Sequence, residues 1–248
     1  MKNKVLITGS EGFIGSHLVE KLVNENVNVK AFVQYNSFNQ IGWLSDLDEK
    51  ILNEIEIFFG DVRDYEIVKK ATQDCNTIIN LAALIGIPYS YKAPESYVDT
   101  NIKGLLNIMN ACKDKQKKII HASTSEVYGN AQKSRINENH PLVAQSPYAA
   151  TKIAADQIAM SFHKSFELPI GIIRPFNTFG PRQLLRAIIP TIISQTLDHK
   201  LKVIKLGNVS TKRNFNFVKD IVHGFYLASI NKSIIGQQIN LGSSYNVS

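Results

Sequence analysis

A strand-length apolar run, Lys4–Thr8, is followed at once by Gly9, Gly12 and Gly15 at three-residue spacing, and then by a helical pattern over Gly12–Asn24. Phe13, Ile14, Leu18, Leu22 and Val23 supply its apolar face. Each glycine has its own physical use. Gly9 permits a tight turn, Gly12 lets the backbone approach a pyrophosphate, and Gly15 lets the helix lie close to the sheet. The helix N-terminus adds amide donors and the positive end of its dipole. A glycine triplet alone reads as an ordinary turn. The strand before it and the helix after it make this one a phosphate-binding turn.

The alternation continues along the chain. Val27–Val33, Ile55–Phe59, Thr77–Ala82, Lys118–Ala122 and Pro169–Ile173 read as strands, with helices over Tyr65–Thr72, Pro94–Cys112 and Tyr148–Phe166. Such alternation implies parallel βαβ units, hence an α/β, Rossmann-type doubly wound parallel sheet. After Arg174 the rhythm is broken by Pro175, Gly180 and Pro181. Helices are expected at Ala187–Leu197 and Val218–Ile230, and a strand at Gln238–Leu241. The division expected is a dinucleotide-binding domain over 1–174, to which some later segments return, and a small substrate-binding lobe over 175–248. The sequence stops soon after a strand, at Ser248, so that lobe is expected to be C-terminally incomplete.

Length and composition exclude several classes. A chain of 248 residues with 44% hydrophobic and 20% charged residues is ordinary for a soluble globular protein. No window reaches the ~18 uncharged apolar residues of a membrane helix. The start, Met-Lys-Asn-Lys-Val-Leu-Ile-Thr-Gly, has too short an apolar stretch for a signal peptide, which predicts a cytoplasmic protein with no membrane partner. Cys75 and Cys112 read as reduced structural thiols. The six histidines show no ligand spacing, and no metal is expected. The net charge of +7 reads either as a solvated basic surface or as arginines that meet a diphosphate. No Lys/Arg block is interleaved with aromatics, which argues against nucleic acid. The run Lys113–Lys118 reads as a cationic helix end.

Tyr148 and Lys152 open a long helix at i, i+4, on one face. A tyrosine hydroxyl with an ordinary pKa of about 10 is a poor base at neutral pH. A nearby ammonium and a cationic nicotinamide ring would favour the phenolate. Ser123-Thr124-Ser125-Glu126 follows a strand at its C-terminal end, where open α/β sheets bind ligands. Thr124 can hydrogen-bond a sugar hydroxyl, and Glu126 is a carboxylate that simple alcohol oxidation does not need. Asp61 reads as a partner of the adenine amine, or with Asp64 as a helix cap. Val33-Gln34-Tyr35-Asn36 carries no carboxylate where one would grip the ribose, and no arginine for a 2′-phosphate. NAD is the cofactor expected, with NADP left open.

These pieces resemble the extended short-chain dehydrogenase/reductases of the NAD-dependent epimerase/dehydratase family. The resemblance runs from Thr8 through Gly242 and includes Gly60-Asp-Val-Arg-Asp64, Asn80-Leu-Ala-Ala83, Thr124-Ser-Glu-Val-Tyr-Gly129, Arg174-Pro-Phe-Asn-Thr-Phe-Gly-Pro-Arg182 and Arg213-Asn-Phe-Asn-Phe-Val218. Tyr35-Asn-Ser-Phe-Asn39 with Gly42-Trp-Leu44 is similar to nucleotide-sugar 4,6-dehydratases of legionaminic acid biosynthesis, which act on UDP- or GDP-linked N-acetylglucosamine. The resemblance implies a lyase of the short-chain dehydrogenase type and a nucleotide-diphosphate sugar as partner. Thr124, Ser125, Glu126, Tyr148 and Lys152 would be catalytic. The dinucleotide would rest on Gly9, Gly12, Phe13, Ile14, Gly15, Asp61, Val62, Leu81, Ala82, Ala83, Tyr148 and Lys152. Asn177, Arg182 and Arg213 would hold the substrate diphosphate.

In such enzymes the cycle is redox-neutral. Tyr148 would take the 4-hydroxyl proton as C4 is oxidised, and the 4-ketone then acidifies the C5 hydrogen for removal by Glu126. Water leaves from C6, hydride returns there, and a 4-keto-6-deoxy sugar results. Many relatives carry Asp where this chain has Ser125, so the general acid is open. A UDP-glucuronate decarboxylase, with Arg186 as the spare cation for a carboxylate, and a 4-epimerase are alternatives within the family. A truncated, non-catalytic dinucleotide-binding protein is the alternative from another class. The resemblance also implies a homodimer through a four-helix bundle built on Pro94–Cys112 and Tyr148–Phe166.

Overall fold

The computed structural model describes residues 4–133, 135–207 and 209–247; Met1–Asn3 of the basic start and Ser248 lie outside them. Among the described residues nine strands are formed: β1 (Lys4–Thr8), β2 (Asn28–Gln34), β3 (Ile55–Gly60), β4 (Thr77–Asn80), β5 (Lys118–Ala122), β6 (Ile170–Pro175), β7 (Asn177–Phe179), β8 (Phe215–Phe217) and β9 (Gln238–Leu241). The α-helices are α1 (Phe13–Asn24), α2 (Glu49–Asn53), α3 (Tyr65–Thr72), α4 (Ile87–Ser90), α5 (Pro94–Tyr97), α6 (Gly104–Lys113), α7 (Pro147–Phe166), α8 (Ile188–Leu197) and α9 (Val218–Ile230).

Seven strands form one sheet in the order β3-β2-β1-β4-β5-β6-β9, every neighbour parallel. The central strands are covered on both faces, which explains near-continuous apolar runs such as Val5-Leu6-Ile7 and Ile78-Ile79. One face packs on α1 and α9 through Leu18, Val19, Leu22, Ile221, Val222 and Phe225. The other packs on α3, α6 and α7 through Val68, Ala71, Leu105, Ile108, Cys112, Ala155 and Ala159. The doubly wound sheet expected from the alternation is therefore formed. The strand order reverses between β1 and β4, and the crevice beyond their C-terminal ends is where such sheets bind ligands.

Three features differ from the sequence expectations. The helix expected over Pro94–Cys112 is an α–π–α path, with a π segment at Val98–Lys103. Within it Asn101 turns inward, its amide donating to the Leu84 carbonyl and to Thr151 Oγ1 while its own oxygen accepts from Leu84 N. The second difference is a small parallel pair of β7 and β8, three residues each, too short to show a period of two. Third, the run Lys113–Lys118 is more than a cationic helix end. Lys117 is buried with Nζ on the Thr72 and Gln73 carbonyls, and Lys118 Nζ reaches the carbonyls of Ala228, Ser229 and Asn231. Both lysines satisfy carbonyls at or just beyond helix ends.

Among the described residues no helix is long and apolar enough to cross a membrane. Cys75 and Cys112 are both free and buried, and burial pushes each thiol up to about 12.

Candidate active site

The turn between β1 and α1 depends on its glycines. Gly9 sits at φ +67, and a Cβ there would lie 2.9 Å from Ala82 N; a Cβ on Gly15 would lie 2.1 Å from the Gly9 carbonyl. Only glycine lets β1, β4 and α1 meet this closely. Gly12 is the N-cap of α1, and no side chain caps the helix there. The amides of that first turn are left to an anion, a cradle that suits a pyrophosphate. Across the turn Thr8 Oγ1 donates to Asn80 Oδ1 and accepts from Ala82 N, locking the β4 end beside it.

One cavity runs from this turn along the sheet's C-terminal edge. It is lined by all the residues expected to hold a dinucleotide: Gly9, Gly12, Phe13, Ile14, Gly15, Asp61, Val62, Leu81, Ala82, Ala83, Tyr148 and Lys152. Thr124, Ser125, Glu126 and Asn177 line the same cavity. Asp61 also accepts the Arg63 backbone N–H at 2.8 Å, just ahead of α3. Asp64 caps α3 by accepting from Ile67 N, whereas Asp61 receives Arg63 Nε at 3.0 Å on both carboxylate oxygens. That hydrogen bond from Arg63 holds the Asp61 carboxyl below its ordinary range.

α7 is started by Ser146, whose Oγ accepts from Ala149 N, and by Pro147 in the first turn. This fixes Tyr148 and Lys152 against the cavity. Burial pushes the Tyr148 phenol up to about 12; a hydrogen bond with Thr124 opposes this and the Glu126 charge adds to it. Lys152 is buried, donates to the Ala122 carbonyl at 2.6 Å, and is lowered to about 8 by desolvation. Burial dominates the phenol here, and the group that opposes it is Thr124 rather than Lys152. Thr124 caps the turn Ser125–Tyr128 through Glu126 N, which places Ser125 and Glu126 on the cavity wall.

The expected arginines lie elsewhere. Arg182 does not line the cavity: its guanidinium bonds Glu20 of α1 at 3.2 Å and lies beside Ser16 and His17. Arg213 is exposed, with its backbone paired to Val247 and a side-chain bond to the Lys212 carbonyl. Arg186 packs against Gly86, where a Cβ would meet its Nη1 at 2.7 Å. Arg182 and Arg213 both sit in the stretch between β7 and β8, where sequence spacing says little about side-chain direction.

Several residues of the site went unanticipated. Asp156 is fully buried, and its Oδ2 accepts from Ser123 Oγ and Arg174 Nε at 2.9 and 3.0 Å. Arg174 also donates to Tyr128 Oη and to the Gln238 side chain, tying β5, β6, α7 and β9 together behind the cavity. Asp156 follows Lys152 at i+4, so its place on the inward stripe was available from periodicity. Asn101 had no sequence signal, because a π segment leaves none. Glu11, Gln34, Phe176 and Gln183 also line the cavity. Among the described residues no group of three or more His, Cys, Asp or Glu could hold a metal ion.

This sheet order, glycine turn and Tyr-x-x-x-Lys helix define an extended short-chain dehydrogenase/reductase. The family model described as GDP-mannose 4,6 dehydratase matches residues 6–248, and the chain belongs to that nucleotide-sugar dehydratase and epimerase family. It is 32% identical over 263 residues to the dTDP-D-glucose 4,6-dehydratase of Dictyostelium discoideum, covering 99% of this chain and 59% of that protein. Among solved structures it is similar to the UDP-N-acetylglucosamine 4-epimerase from Methanobrevibacter ruminantium M1 in complex with UDP-N-acetylmuramic acid. That likeness has a TM-score of 0.89 and 31% identity, over 100% of this chain and 79% of that one. It is also similar to DesIV, the dTDP-glucose 4,6-dehydratase from Streptomyces venezuelae with NAD and TYD bound. Here the TM-score is 0.88 at 25% identity, over 98% of this chain and 77% of that one.

Proposed function

We propose that the chain is an NAD-dependent nucleotide-sugar 4,6-dehydratase that forms a 4-keto-6-deoxy sugar. One observation supports this above all: the Glu126 carboxylate shares a cavity with the Tyr148 phenol, close enough for its charge to push the phenol upward. A carboxylate there is what elimination requires and plain oxidation does not.

NAD, when bound on the glycine turn, supplies the two-electron acceptor for C4 and the donor for C6. Tyr148, which shares the cavity wall with Thr124, takes the proton of the sugar 4-hydroxyl. Lys152, fixed on the Ala122 carbonyl, keeps a positive charge in the same wall to offset the phenolate. Once C4 is a ketone, Glu126 removes the acidified C5 hydrogen. Ser125 is an aliphatic alcohol, too weak an acid to protonate a departing hydroxide. We therefore give both roles to Glu126: the proton taken from C5 goes to the C6 oxygen, which leaves as water. When hydride returns to C6, the carbon C5 regains a proton, balanced by the one Tyr148 took from the 4-hydroxyl.

In this reading the irregular stretch between β6 and β8 forms the substrate-facing lobe within 175–248, with Asn177 toward the diphosphate. The match of Tyr35–Leu44 to the legionaminic acid enzymes favours UDP- or GDP-linked N-acetylglucosamine. Pairing of two copies through the π-containing helix and α7 is part of the same proposal, supported by exposed Val98 and half-buried Ile153. A monomeric mass in light scattering would remove the pairing.

A 4-epimerase is the second reading, favoured by Ser125 in place of an acid and by the likeness to the Methanobrevibacter enzyme. Incubation with NAD and UDP-, GDP- or dTDP-linked sugars, followed by product mass, separates the readings. Loss of water is the result expected. An unchanged mass with altered sugar configuration indicates epimerisation, loss of carbon dioxide indicates decarboxylation, and no turnover of any sugar leaves the non-catalytic reading.

A further inference from the structure

The carboxylate missing from the end of β2 has a substitute on the glycine turn. Gln34, the last residue of β2, donates its backbone N–H to Glu11 Oε1 at 3.0 Å. The Glu11 side chain therefore reaches from the loop between Gly9 and Gly12 to the place where a β2 carboxylate would stand. It lines the cavity beside Gln34, Phe32 and Gly60. Its second oxygen, Oε2, is buried with no hydrogen-bond partner. A buried carboxylate oxygen without a donor is costly, and it leaves the carboxylate of this cavity-lining residue with acceptor capacity unfilled.

The segment after β2 holds Glu11 in this position. Trp43 N donates to the Glu11 carbonyl at 3.0 Å. Gly42, at φ +54, comes so close that a Cβ there would lie 2.7 Å from that carbonyl and 3.0 Å from the Glu11 Cβ. The Gly42-Trp-Leu44 motif thus clamps the glycine turn at the backbone of Glu11. Burial pushes the Glu11 carboxyl upward while the Gln34 amide bond opposes it. The neighbouring cation on the wall, Arg63, is bonded to both oxygens of Asp61.

We propose that Glu11 receives the adenosine-ribose hydroxyls of the dinucleotide and excludes a 2′-phosphate, so that it sets the preference for NAD over NADP. The proposal rests on the reading of this cavity as a dinucleotide site. A carboxylate accepting ribose hydroxyls makes charge-assisted hydrogen bonds, whereas a 2′-phosphate would bring like charge against it, with the Arg63 guanidinium already held by Asp61.

Titration calorimetry of the full chain with NAD and with NADP tests this. The wild-type chain is expected to bind NAD about ten-fold or more tighter than NADP, and Glu11→Gln to bring the ratio close to one, chiefly by weakening NAD. Glu11→Asp keeps the charge and is expected to keep discriminating against NADP; the ratio is read within each variant, so general loosening does not imitate the effect. An unchanged ratio in Glu11→Gln, or a wild-type chain that prefers NADP, overturns the Glu11 assignment alone. A wild-type chain that binds neither dinucleotide overturns the site reading together with it.

Discussion

The glycine-turn half of the molecule and the stretch between β6 and β8 are built in opposite ways. In the first, β1, β4 and β5 are sealed between helical layers, and ligand recognition is directed by backbone: the Gly9–Gly15 turn, the α1 N-terminus and the β4 end. In the second, α8 has no buried residue, and Ile193, Leu197, Leu201 and Val203 are exposed. Recognition there would rest on long side chains carried by irregular backbone. The lesson is that backbone-directed sites are fixed once the elements form, whereas a guanidinium goes to whichever carboxylate the tertiary structure presents. Arg182 goes to Glu20.

The largest effect is expected at the reacting carboxylate. Glu126→Gln is expected to lower dehydration turnover by about 10²–10⁴-fold, the usual contribution of a positioned acid–base group, with NAD affinity within two-fold of wild type as read by calorimetry. Unchanged turnover would remove Glu126 from the mechanism. Next comes the buried pair behind the cavity. Asp156→Ala strands Arg174 in the core and should cost about 3–5 kcal/mol in urea unfolding. A loss under 1 kcal/mol would mean that Arg174 finds water or another partner.

Packing separates the two regions directly. Phe225→Ala, in the core between α9 and the sheet, should cost about 3–5 kcal/mol. Ile193→Ala, on exposed α8, should stay within about 0.5 kcal/mol. Equal effects would show that α8 is buried in solution by something that covers it. The smallest change is expected from Arg182→Ala. Its ion pair with a half-exposed Glu20 is worth about 0–1 kcal/mol, and turnover and substrate KM should hold within two-fold. A large rise in KM would return Arg182 to the diphosphate site.

Much of the site was legible in the residues because its signals are local. The glycine spacing, the Tyr148–Lys152 interval and Thr124–Glu126 after a strand each belong to a single turn or helix face. The long-range partners were not. Glu11 reads as a loop residue until β2 and the Gly42–Leu44 clamp close on it, and Asn101 reads as an ordinary helix residue until the π segment turns it toward Leu84. Lys117 and Lys118 read as part of a cationic helix end until the carbonyls at the ends of α3 and α9 meet them.

By itself the sequence determined the parallel α/β sheet, the phosphate-binding turn and the face of α7 that carries the phenol and lysine. Periodicity and glycine placement act over a few residues and need no distant partner. Where each charge found its counter-charge was set by the assembled fold, since that depends on which elements the sheet order brings together across tens or hundreds of residues.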